Sequence, residues 1–479
     1  VSGAGTRGGT GGLIVVALCF ATIVLDGYDL VVFGATLPVM LRDPSWGMTT
    51  AQAGAIGSYA LVGMLVGALA VGALTDRFGR RKVVLATTAW FSVSAGLCAV
   101  APNPEVFGLL RLLCGIGLGG MLPTAIALTS EYAPAARRQL YNSVVHVGYS
   151  TGGVVATLIA IPVLPVLGWE VMYLIGALPA VVLLPLAWAY LPESPAFLVA
   201  HGRRDEARAL ALRHGLDPDD VLGRESATAG SATAGSPTAG SSAAGSGAAG
   251  SEAAGPAAPP SLRSTVRELF GPVYRRRSVV FALVGFCGLL LTYGVGTWLP
   301  EIMRSSGFAL GSALSFLLVL NLGNIVGSLL VARLADRVGS RRVVPAAFAT
   351  GAVCLVLMAL SPPAVVLYLL VALVGFGAMG AQILVNGFVA ASYPARIRAT
   401  GLGWVVGFSR LGGIAGPVVA GLVLASGVGV GWNFAFFAAF ATAAVLLLLA
   451  LGPAGVPAAG ESEDRSGDST GDRDGGVRR

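Results

Sequence analysis

Roughly twelve apolar runs of about 20 residues or more follow one another along the chain, at about 13–41, 51–75, 83–101, 105–130, 140–165, 170–191, 278–300, 312–335, 343–361, 364–391, 399–425 and 431–452. A run of that length, coiled as a helix, matches the hydrocarbon thickness of a bilayer and satisfies its own backbone inside it. Composition agrees: 55% of the 479 residues are hydrophobic and 11% charged, where soluble domains carry ~25% charged residues. Mean hydropathy is +0.78. The expected fold class is an all-α membrane protein of twelve transmembrane helices. The first run is too long for a signal peptide, holds two aspartates and is followed by further spans.

Arginine placement orients the spans. Arg77, Arg80, Arg81 and Lys82 follow the second run, Arg137 and Arg138 the fourth, Arg337, Arg341 and Arg342 the eighth, and Arg396 and Arg398 the tenth. The odd-numbered connections hold little: Arg42 beside Asp43, Glu105 alone, Arg304 near Glu301. By the positive-inside rule both termini are expected in the cytoplasm and the chain in the cell membrane. The net charge of +7 is then a topology signal, since no basic domain gathers the arginines for nucleic acid.

From 192 to 277 no run is long enough to span, and residues 226–255 repeat as pentads from SATAG to SEAAG. Low-complexity sequence of this kind reads as a flexible tether, and 453–479 as a disordered cytoplasmic tail. Residues 202–213 and 264–270, flanking the tether, read as short amphipathic helices lying along the membrane surface. Two units of six spans result, 1–191 and 278–452, and they echo each other. Residues 74–84 and 334–344 share the frame Leu-x-Asp-Arg-x-Gly-x-Arg-x-Val-Val. It holds Asp76, Arg77, Gly79 and Arg81 in one copy and Asp336, Arg337, Gly339 and Arg341 in the other. Glycine suits a tight turn there, the aspartate a cap or ion pair, and the arginines the cytoplasmic face. Paired across the halves, such residues would latch one access state. A duplicated six-span unit is the expected plan of a secondary transporter that rocks one half against the other.

With this motif, Arg111–Gly120 in the fourth run and Leu191–Leu198 after the sixth, the chain resembles the major facilitator superfamily over essentially its whole membrane-embedded length. Residues 26–38, 123–134, 393–404 and 409–417 make it similar, more narrowly, to the aromatic acid:H⁺ symporters. That resemblance implies a proton-coupled carrier that imports benzoate, a hydroxybenzoate or a similar acid by alternating access. It also implies a proton-coupling or structural role for Arg111, beside the plainer reading of an arginine that snorkels or pairs helices.

Asp26 and Asp29 lie on a similar face of the first run, Asp26 roughly 20 Å along it. A carboxylate at that depth costs at least ~2.5–3.5 kcal/mol, which points to a proton or ion pathway. Arg410, roughly 16 Å into the eleventh run, is read as a substrate-carboxylate ligand or a structural ion-pair partner. Glu131 is assigned to a latch with the arginines of the span-two loop, ahead of substrate contact. Tyr28, Asn386 and Trp404 are the further substrate-site candidates, and Tyr149, Tyr293, Asn321, Asn324 and Gln382 share with them the alternative of interhelical hydrogen bonding. The five cysteines and three histidines show no metal spacing. Neither a phosphate-cradling loop nor a catalytic constellation stands out, so the expected protein is no enzyme, has no cofactor or metal, and acts as a monomer whose partners are an aromatic carboxylate, protons and the bilayer. An exporter or symporter of a sugar, drug or other acid, and a transport-inactive sensor, are the competing readings.

Overall fold

The computed structural model describes residues 10–133, 138–214, 216–223 and 262–451. Among them eleven helices are long and apolar enough to cross a membrane. In chain order the bundle comprises α1 (Thr10–Met40), α2 (Thr50–Phe78), α3 (Arg80–Cys98), α4 (Pro104–Tyr132), α5 (Arg138–Leu167) and α6 (Glu170–Tyr190). It continues with α7 (Arg275–Ser305), α8 (Leu310–Val338), α9 (Ser340–Ala359), α10 (Ala364–Ala391), α11 (Ala395–Ala425) and α12 (Val430–Ala450). The twelfth expected span is α3, a helix of 19 residues. It falls short on apolarity because Arg80, Arg81 and Lys82 open it and Thr87, Thr88, Ser92 and Ser94 follow.

Local chemistry sets the helix ends. Thr49 and Gln52 form a reciprocal capping box at the start of α2, and Asn103 caps α4 ahead of Pro104. Inside α4 the helix breaks at Gly119 and Gly120, inside α6 at Pro179, and inside α10 a π-turn spans Gly375–Met379. Packing then repeats between the two sets of six. α1 lies on α5 and α2 on α4, as α7 lies on α11 and α8 on α10. The two sets meet through α2 against α11, α5 against α8, and α1 against α7.

The duplicated glycines occupy equivalent turns. Gly79 (φ 91°) and Gly339 (φ 94°) are single residues between α2 and α3 and between α8 and α9, in a backbone region that L side chains avoid. Their surroundings differ. A Cβ at Gly79 would run into the Glu193 carboxylate, whereas at Gly339 it would meet nothing within 4 Å. Gly79→Ala is therefore expected to lower the unfolding temperature in detergent more than Gly339→Ala. Both variants incur the strain of a positive-φ extended backbone, about 1–3 kcal/mol, and only Gly79→Ala displaces Glu193. Equal shifts for the two would show that the Glu193 contact is without weight.

Between α6 and α7, the expected amphipathic stretches are the helices Arg204–His214 and Leu262–Leu269. Arg204–His214 packs with Pro195–Ala200 and Pro218–Gly223 around Leu198, Val199, Ala207, Ala211 and Val221. The pentad repeats at 226–255 and the tail at 453–479 lie outside the described residues.

Candidate transport site

Near the middle of α1, Asp26 and Asp29 are each 1% exposed. Three residues on a helix turn through about 300°, so the two carboxylates diverge by about 60°. Asp29 faces α4, where its Oδ1 accepts a hydrogen bond from Arg111 Nη1 at 2.5 Å and its backbone oxygen accepts one from Nη2 at 3.3 Å. Arg111 is itself 1% exposed, with its guanidinium over the Phe33 and Tyr173 rings. Asp26 is different. Neither of its oxygens has a hydrogen-bond partner among the described residues, and the charges acting on it are Asp29 and Arg410 of the other six-helix set.

Close helix contacts bring the facing groups in. α1 and α5 touch where Gly27 meets the Tyr149 backbone and Gly152 meets Val24, contacts that a Cβ at either glycine would block. This puts Tyr149 beside Asp26. On the other side, Gly412 and Gly416 let α11 close on Phe286 and Leu290 of α7, and Gly413 lies under the Tyr293 ring, one turn from Arg410. The Tyr149 hydroxyl donates to that of Tyr293 at 3.1 Å. Four helices, two from each set, thus contribute Asp26, Tyr149, Tyr293 and Arg410 to one place. The tyrosines and Arg410 are half-buried, and Arg410 makes no hydrogen bond or ion pair among the described residues.

Other expected site residues go elsewhere. Tyr28 is buried with its hydroxyl donating to the Met172 carbonyl at 2.7 Å, away from the set interface. Trp404 donates Nε1–H to the Ser278 carbonyl at 3.1 Å and packs edge-on against Phe270, 5.1 Å between centroids. Each of these side chains is thus tied to a backbone carbonyl of a neighbouring helix. Asn386 is exposed on α10, next to open space at Gly387. Tyr149 and Tyr293, two of a longer series of polar candidates in the sequence, are singled out only by the glycine contacts on either side.

At the end of the bundle where the arginine-bearing turns lie, Glu131 forms an ion pair with Arg80 and accepts a hydrogen bond from Ser194 Oγ at 2.6 Å. Glu193 accepts from the Arg81 backbone N–H at 3.1 Å. These contacts join the first six helices to the segment that follows α6, and the expected latch across the halves is not among them. Asp76, Arg77, Asp336, Arg337 and Arg341 are exposed. The contacts that do join the two sets fall at the middle and the opposite end. Asn324 donates to Ser150 Oγ at 3.1 Å, Ser58 Oγ to the Ile414 carbonyl at 2.5 Å, and Gly54 and Gly421 pack together. Beyond them Arg42 grips Glu301 with both nitrogens, at 2.7 and 3.1 Å. Toward the arginine-bearing end, Gly403 and Gly407 continue the Arg410 face of α11 and have nothing within 4 Å of their Cβ positions. The Arg42–Glu301 pair thus bridges the two sets at one end, and at the other the α11 positions Gly403 and Gly407 stand beside free space.

Two packed sets of six helices enclosing buried charge at their interface define a multi-pass membrane carrier. The chain belongs to the Major Facilitator Superfamily, whose family model matches residues 19–417 and 312–471. It is 35% identical to the gentisate transporter of Corynebacterium glutamicum over 92% of this chain and 86% of that one. To the benzoate transport protein of Acinetobacter baylyi it is 31% identical, over 86% and 83% of the two chains. The same fold occurs in the partially occluded inward open conformation of the xylose transporter XylE from E. coli, with a TM-score of 0.66 at 16% identity over 93% of this chain and all of that one. The protein is a membrane transporter and not an enzyme.

Proposed function

We infer that this carrier moves an aromatic carboxylate across the cell membrane together with a proton, inward, by alternating access. The observation that carries the reading is Asp26, a buried carboxylate without a hydrogen-bond partner, held between the two sets of helices and opposite Arg410. An unpaired buried charge is costly, and protonation removes the cost. Arg410 offers a planar fork of donors suited to a carboxylate, and Tyr149 and Tyr293 add aromatic faces and hydroxyls at the same level. The relatives that carry gentisate and benzoate support this substrate class for the present chain. Asp29, already neutralised by Arg111, holds the middle of the first set together. With the arginine-bearing turns in the cytoplasm, the state described here faces inward, sealed outside by Arg42 and Glu301. Binding of proton and acid leaves fewer uncompensated charges between the sets, and their rocking then exchanges the open end.

Binding of benzoate and benzamide to purified protein tests the assignment. Wild type is expected to prefer the acid. Arg410→Lys keeps the charge but loses the fork, and should weaken benzoate binding by about tenfold. Arg410→Ala should weaken it further, by about 1.5–3 kcal/mol for the lost charged hydrogen bonds, and should narrow the gap between acid and amide. Equal losses for acid and amide would mark Arg410 as a structural residue and move the carboxylate site elsewhere.

A further inference from the structure

The helix Leu262–Leu269 has two unlike faces. Thr265 and Leu269 are buried on the side that packs against α11, and Glu268 accepts both Nε and Nη2 of Arg396 at 2.9 and 2.5 Å. Arg263, Val266 and Arg267, by contrast, are exposed, and their three- and four-residue spacing continues to Phe270. Just downstream Val273 is 69% exposed and Arg275 is exposed. Arg263, Arg267 and Arg275 have no hydrogen bond or ion pair among the described residues. One stripe therefore carries cations without anions, with Val266 and Val273 exposed beside them and Phe270 partly so.

The height of this stripe is fixed by the bundle. Ser278 Oγ, four residues into α7, donates to the Leu269 carbonyl at 3.0 Å, and Phe270 rests on Trp404 of α11. The stripe thus lies where two membrane-crossing helices begin, level with lipid headgroups. An aqueous acidic partner would satisfy the arginines and leave Val266, Phe270 and Val273 exposed. A lipid surface offers phosphate at one depth and hydrocarbon at the next.

We propose that Arg263, Val266, Arg267, Phe270, Val273 and Arg275 form a binding surface for anionic phospholipid, which fixes the α7 end of the long connection to the membrane. The occupant is a phospholipid with a net negative headgroup, held by charge at the arginines and by its acyl region at the three apolar side chains.

Full-length protein in detergent is titrated with short-chain phosphatidylglycerol, with phosphatidylcholine of the same chains, and with glycerol phosphate, following the unfolding temperature. Wild type should respond to phosphatidylglycerol at the lowest concentration. Arg263→Gln/Arg267→Gln should weaken that response by about 30-fold, or about fivefold per arginine, and Val273→Ser should weaken it less. Arg208→Gln, which removes an exposed charge from the helix Arg204–His214, should change nothing. Where the double variant is not recovered, Arg275→Gln alone decides, with a loss of about fivefold. The proposal is overturned if the two lipids act alike on wild type, if glycerol phosphate acts as strongly as the lipid, or if Arg208→Gln loses as much as the stripe variants.

Discussion

In sealed vesicles under an inward proton gradient, Asp26→Asn is expected to accumulate no more aromatic acid than vesicles without carrier, while still exchanging labelled for unlabelled acid across the membrane. Asparagine keeps the volume and polarity of the side chain and removes its titration. The carrier can then still bind and rock, but a proton gradient no longer drives it. The expectation falls on Asp26 because its oxygens are buried and unpartnered, with Tyr149 beside it and Tyr293 and Arg410 on the opposite set. Asp29 is already held by a cation at 2.5 Å. Gradient-driven accumulation at the wild-type rate by Asp26→Asn would remove this residue from the coupling step. Loss of exchange as well would make it a substrate ligand or a structural residue.

Much of the architecture was legible because a bilayer makes one simple demand, about 20 apolar residues per crossing, and the duplicated Asp-Arg-x-Gly frame marks the same turn in both halves. Gly79 and Gly339 occupy that turn with nearly equal φ. The helix α3 shows the limit of the rule. Its serines and threonines sit among packed neighbours, Ser92 at 1% exposure and Thr88 at 1%, so its place in the bundle follows from contacts that a hydropathy window does not weigh.

The site was legible by residue type and not by partner. Two aspartates three positions apart read as a pair on one face, yet the 60° or so between them is enough to send one to α4 and the other to the interface between the sets. What separates them is Arg111, 82 positions away. Tyr28 and Trp404 were likewise legible as polar aromatic residues but not by the partners that hold them. An aromatic side chain with one polar atom suits a cavity wall and a helix contact equally, and here Met172 and Ser278 supply the carbonyls that claim them. Arg42 and Glu301 read as stray loop charges, because 259 positions separate the two ends of the bridge. In each case the missing information is a long-range contact, and glycine is the sequence trace it leaves: Gly27, Gly152, Gly412 and Gly416 all stand where helices bearing site residues touch.

The buried pair of Asp29 and Arg111 should govern stability as strongly as Asp26 governs coupling. Asp29→Asn leaves a guanidinium buried beside a neutral amide, and Arg111→Gln leaves a carboxylate buried with no cation. Removing one partner of such a pair costs about 3–5 kcal/mol, because the remaining charge is stranded. Each single variant is therefore expected to unfold at a clearly lower temperature in detergent. The double variant Asp29→Asn/Arg111→Gln should recover part of the loss, since both charges go together and an amide pair can still hydrogen-bond. The pair is incompletely satisfied even in the native protein. Asp29 Oδ2 and Arg111 Nε have no hydrogen-bond partner among the described residues, so the single bond between the side chains, with the Phe33 and Tyr173 rings around it, bears most of the compensation. Thermal unfolding of the four proteins, wild type, two singles and the double, completes the cycle. Singles as stable as wild type, or losses that simply add in the double, would mean that the two charges are compensated separately and that Asp29 is open to the proton role assigned here to Asp26.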